Sequence, residues 1–88
     1  MAGATTTMGA GESVDVDFSA FVISLGSTAA MQLDPSHESY NLELARQTID
    51  ILAMLQVKTA GNLTKDEADL LSGVLYQTRL AFCEADKR

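Results

Sequence analysis

NLELARQTIDILAMLQVKTAGNLTKDEADLL, residues 41–71, decides the fold: it holds one whole amphipathic helix, a turn, and the start of another helix. Asn41 is an N-cap residue that accepts from the free amides of a first turn. The helix it opens is expected to run to about Ala60, with Gly61 as the left-handed residue that follows a helix end. At about 100° per residue, Leu44, Ala45, Thr48, Ile49, Ile51, Leu52 and Leu55 take about half of the circumference. Glu43, Arg46, Gln47 and Asp50 take the other half, and Met54 and Val57 fall among them. A mixed apolar and charged patch is therefore expected at Arg46, Gln47, Asp50, Met54, Val57 and Lys58.

Thr64-Lys65-Asp66-Glu67 is a capping box, in which the side chains of Thr64 and Glu67 each satisfy a backbone amide that the helix leaves free. Leu63 precedes it and can fold back over the first turn. The helix that follows is expected to reach about Ala85, with Leu71, Val74, Leu75, Thr78, Ala81 and Phe82 on one stripe, widened by Leu70 and Leu80. The connection to the preceding helix is only about three residues long, a length that makes an antiparallel helical hairpin.

Working back from Asn41, Asp34 to Asn41 form a turn-rich loop in which Pro35 stops the preceding helix and His37 is read as a solvated side chain. A helix from about Phe18 to Leu33 comes before it, capped by Asp17. Phe18, Phe21, Val22, Leu25 and Ala29 form its expected seam. Its other side, Ala20, Ile23, Ser24, Ser27, Thr28, Ala30 and Met31, carries no charge, the mark of a helix covered on more than one side. Gly26 and the small Ser24, Ser27 and Thr28 allow a close neighbour. Residues 1–16 are expected to be a flexible tail with too little apolar content to offset the entropy of ordering. Residues 17–88 are expected to be a helical interaction domain. The fold class is all-α: three helices, an antiparallel hairpin of the second and third, and an uncharged first.

Composition narrows the function. The 88-residue chain carries 12 acidic and 6 basic residues, a formal charge of -6, which repels phosphate backbones. Nucleic acid is not an expected partner. The one cysteine, Cys83, excludes an internal disulfide, and the one histidine, His37, has no partner at zinc-ligand spacing. Asp66, Glu67 and Asp69 cluster where a helix dipole favours carboxylates, and Arg46 with Asp50 reads as a surface i,i+4 ion pair. No nucleophile has a base beside it, so no catalytic residue, cofactor or metal is expected. The start has no secretory pattern, no segment is apolar enough for membrane insertion, and a lone reduced thiol suits the cytoplasm.

The two half-apolar helices and the uncharged first helix together hold more apolar surface than three short helices can hide. Exposed apolar area of that kind marks an interface. The candidate partner-binding residues are Phe18, Phe21, Val22 and Leu25 on the first helix and Arg46, Gln47, Asp50, Met54 and Lys58 on the second. A structural homo-oligomer is the alternative.

The run from Asn41 to Leu55, then Lys58 to Thr64, Glu67 and Leu70-Leu71, resembles a family of short bacterial proteins, domain of unknown function family 1844. The opening from Asp17 to Leu25 is similar to that family's first helix, and the likeness covers about residues 17 to 83. The connection after Leu33 is shorter than in many relatives. The family's name carries no function. The resemblance to one member of about this length implies a protein-binding role without cofactors, with a response-regulator-like protein and a small Ras-like GTPase as partners, whose nucleotide exchange the complex promotes in bacterial cell polarity.

Overall fold

The computed structural model describes residues 17–87; the expected tail, residues 1–16, lies outside them. Helices α1 (Phe18–Leu33), α2 (Leu42–Lys58) and α3 (Lys65–Asp86) run up, down and up, and each packs on both others. All three starts are fixed by local chemistry. The Asp17 carboxylate accepts from the Ala20 amide at 2.7 Å and the Asn41 side chain from the Leu44 amide at 3.0 Å. The capping box closes in both directions: the Glu67 amide donates to Thr64 Oγ1 at 3.1 Å, and the Thr64 amide donates to Glu67 Oε1 at 2.9 Å. Each such cap stabilises its helix by about 1 kcal/mol. Helix α2 ends at Lys58, two residues before the expected end, and Gly61 with φ 85° makes the turn that follows.

The core is small. Val22, Ile49, Leu52, Leu71 and Leu75 are buried together, and Phe18, Leu25, Leu55, Leu63, Val74 and Phe82 pack around them. Leu63 folds back as its place before the capping box requires. A second cluster, Leu33, Ala45 and Ala85, closes the other end. Two threonines lie inside with their hydroxyls satisfied. Thr48 Oγ1 lies 2.8 Å from Gln32 Oε1 and 3.0 Å from the Leu44 carbonyl, joining α2 to α1. The Thr78 hydroxyl donates back to the carbonyls of its own helix.

The expected stripes shift where a helix meets two neighbours. On α1 the enclosed residues are Val22, Ala29 and Leu33, while Phe21 is 43% exposed. Phe21 sits about 100° around the helix from Val22, so a buried face centred between α2 and α3 leaves it outside. Leu44 and Ile51 on α2 and Leu80 and Ala81 on α3 are exposed for the same reason. The uncharged outer side of α1, expected to be covered, is open at Ala20, Ile23, Ser24, Ser27, Ala30 and Met31.

The loop between α1 and α2 is held by its own side chains. Asp34 Oδ1 accepts from the Ser36 hydroxyl at 2.7 Å and the Ser36 amide at 2.9 Å. The hydroxyl first, then the amide, with a smaller pull from His37, hold the Asp34 carboxyl below its ordinary value. A depressed carboxylate contributes stability above its unfolded pKa and loses it as pH falls through the folded one. Proton-detected titration should therefore place the Asp34 midpoint below that of an unstructured aspartate, about 3.9, and Ser36→Ala should return it toward that value. An unshifted midpoint in the parent chain would show that the turn is not formed.

Helices α1 and α3 approach closely at Gly26, where a Cβ would lie 2.9 Å from Val74 Cγ1. Valine in a helix has little χ1 freedom with which to yield. At Gly73, by contrast, a Cβ meets nothing within 4 Å. Replacing a helix-interior glycine by alanine gains about 0.8–1 kcal/mol from propensity. Gly73→Ala should realise that gain as a higher Tm in dilute protein. Gly26→Ala should lose stability, because overpacking costs about 1–3 kcal/mol. Equal gains at both sites would mean that α1 and α3 lie farther apart.

Candidate protein-binding surfaces

The α2 candidates divide into two neighbouring groups. Met54 is 46% and Val57 73% exposed, between the solvated side chains of Gln47 and Lys58. Arg46 and Asp50 instead face α3. The Gln56 amide donates to Ser72 Oγ at 3.0 Å, and the antiparallel register so fixed brings the last turns of α3 beside the first turns of α2. Arg46, Ile49 and Asp50 thereby join Arg79, Phe82 and Cys83 around a hollow of about 270 Å³. The expected Arg46–Asp50 ion pair does not close; among the described residues the pair formed is Lys65–Asp69, at 2.8 Å.

Two guanidinium groups beside one carboxylate make this hollow locally cationic on a chain of formal charge -6. Arginine presents paired N–H donors that match a carboxylate, so the hollow suits an acidic side chain of a partner. Half-buried Phe82 supplies an apolar wall. Arg79, Phe82 and Cys83 were missed in the sequence, although they lie at i, i+3 and i+4 on one face of the helix paired with α2. The free thiol of Cys83 is exposed at this site.

On α1 the four candidates separate by depth. Val22 is fully enclosed, Phe18 and Leu25 are half-buried against the core, and Phe21 stands out into solvent. Of these, Phe21 alone offers a large accessible surface to a partner in the folded domain.

A larger feature lies on the opposite flank of α3. Ile23, Gly26, Ser27, Ala30 and Leu33 from α1 face Leu70, Gly73, Val74, Tyr76, Gln77 and Ala81 from α3 across an open groove of about 720 Å³. Its one charged lining residue, Asp69, is engaged by Lys65. The sequence carried a signal for half of it, the uncharged side of α1. The other half depends on which flank of α3 turns toward α1.

His37 sits in the first loop, where its Nδ1 accepts from the Ser39 amide at 2.9 Å, apart from the α2–α3 hollow. Among the described residues no group of three or more His, Cys, Asp or Glu is placed to hold a metal ion, and no helix is long and apolar enough to cross a membrane.

No curated protein and no solved structure matches the chain. The family model described as Domain of unknown function (DUF1844) matches residues 15–84, a span that takes in all three helix caps, the α2–α3 hollow and the α1–α3 groove. The chain belongs to that family.

Proposed function

We propose that this chain is a non-enzymatic protein-interaction module, an adaptor that works with a response-regulator-like partner to bind a small Ras-like GTPase and promote nucleotide exchange on it. The observation that carries the interaction reading is the exposure of Met54 and Val57 beside the Arg46, Asp50 and Arg79 hollow. An apolar centre with a charged rim is the anatomy of a protein interface. The identity of the partners rests on the likeness in length and plan to one member of the family, as do the assignment to cell polarity and motility and the recruitment from the cytoplasm to the poles.

Exchange requires no proton transfer and no nucleophile. It requires a surface that binds the nucleotide-free GTPase more tightly than the loaded form. A hundredfold preference, about 2.7 kcal/mol, lowers the nucleotide's own affinity by the same factor, because binding linkage is reciprocal. Arg46, Gln47, Asp50, Met54 and Lys58 are the residues assigned to that contact, with Phe21 extending the surface on α1.

The test is release of a fluorescent nucleotide from a purified Ras-like GTPase, with this chain and its response-regulator-like partner present singly and together. Acceleration in the ternary mixture is expected, and its absence in every mixture overturns the exchange role. Asp50→Arg with Met54→Glu, both on exposed positions, should keep the circular dichroism of the parent and abolish binding. Unfolding of that variant would mean that the patch belongs to the core. Cys83, at the hollow, should label with a maleimide in the folded chain and be protected by the bound partner. Unaltered labelling in a saturated complex would place the contact elsewhere.

A further inference from the structure

We propose that the groove between α1 and α3 seats a second copy of this chain, through a two-fold contact separate from the α2 face assigned above. Charge is the first reason. Two copies of formal charge -6 repel wherever their acidic surfaces approach. The groove brings few charges into the contact: α1 has no charged residue, and the one charged lining residue, Asp69, has Lys65 beside it at 2.8 Å on the solvent side. A partner selected by complementary charge finds little to read there, whereas another copy brings an α1 wall that is uncharged as well, so few charges lose water in the contact.

Shape is the second reason. Gly73 leaves a gap on the outer side of α3, with nothing within 4 Å of where a Cβ would stand. One turn further along, Tyr76 is 62% exposed and projects as a knob. A knob and a gap on the same helix form a self-complementary pair. Across a two-fold axis, with the α3 helices antiparallel, each Tyr76 ring lies over Gly73 of the other copy, which is the reciprocity an isologous contact requires. Exposed Ile23 and Leu80 add apolar surface on the two helices. This also gives Gly73 a purpose that the single domain does not: a glycine inside a helix is unfavourable, and no neighbour in the fold needs the space.

Size sets the strength. A helix of 16 residues, the length of α1, is about 24 Å long, and two adjacent helices are about 20 Å across. Such a face offers at most roughly 500 Å² per copy and roughly 1,000 Å² in total, below the range of stable interfaces and in that of weak, transient ones. The expected dimer is weak and forms in the micromolar range.

Sedimentation velocity of the full chain from about 1 µM to about 500 µM brackets that range. The sedimentation coefficient should rise with concentration from monomer to dimer. Tyr76→Glu should hold the chain monomeric throughout with parental helicity, and Met54→Glu should leave the concentration dependence of sedimentation as in the parent. Gly73→Ala should weaken self-association about tenfold by overpacking the contact while raising the Tm of the dilute chain. If Tyr76→Glu lost helicity, Ile23→Lys on the opposite wall of the groove would give the same reading. A monomer at every concentration overturns the proposal, including one whose groove is protected from hydrogen exchange until residues 1–16 are removed. A dimer dissolved by Met54→Glu and not by Tyr76→Glu overturns it as well. Nucleotide release is a separate readout, so failure of the dimer and failure of the exchange role are told apart.

Discussion

Val22, Leu52 and Leu71, one from each helix, meet with their side chains closed to water, and the rest of the domain is arranged around that meeting. A fully enclosed Val or Leu contributes about 1.5–3 kcal/mol, and only Ile49 and Leu75 join these three in the main cluster. So small a core fixes how closely the helices must approach. Between α1 and α3 the approach is possible because position 26 has no side chain to meet Val74. Between α1 and α2 it is held by Gln32 and Thr48, and between α2 and α3 by Gln56 and Ser72. Three helices converging on one point enclose an inner stripe of each and leave the flanks open, and those flanks expose Phe21, Ile23, Met54, Val57 and Tyr76.

Features whose physics is local were legible in the sequence. A cap depends on residues three apart, so Asp17, Asn41 and the Thr64–Glu67 box could be read directly, as could the short turn that makes α2 and α3 a hairpin. The close approach at Gly26 was legible as well, because a small residue amid larger apolar ones has a packing use. Features that depend on two neighbours at once were not. Phe21 and Val22 are both apolar and adjacent, and only the angle between α2 and α3 decides that one is enclosed and the other exposed. Arg79, Phe82 and Cys83 complete the α2–α3 hollow through register, and Gly73 and Tyr76 face outward because Leu71 and Leu75 face inward. A helical wheel supplies the spacing of a stripe and leaves its compass bearing open.

The two open flanks differ in chemistry, and that difference suits them to the different uses proposed for them. The α2–α3 hollow is lined by two of the six basic residues of an acidic chain, with one carboxylate, Asp50, beside them. A site of that kind steers an acidic partner toward one orientation and discriminates against others. The α1–α3 groove has almost no field. It selects by shape and apolar area, and a long, shallow contour of that sort is satisfied by a helix. Because α3 contributes Arg79, Phe82 and Cys83 to one flank and Gly73, Gln77 and Ala81 to the other, both surfaces can be occupied together.

Simultaneous occupancy would make the proposed self-contact useful to the proposed adaptor. With the groove at the centre of a dimer, the two α2 faces point away from the axis, and one assembly offers the same partner-binding surface twice. Binding of a dimeric or clustered partner by the first face raises the effective concentration of the second to the millimolar range, so avidity exceeds the affinity of either face alone. The gain would disappear on dilution, because the proposed self-contact is weak. An adaptor built this way responds to the local density of its partners: it binds loosely as a monomer where they are sparse and firmly as a pair where they are crowded, with no change in the structure of either face.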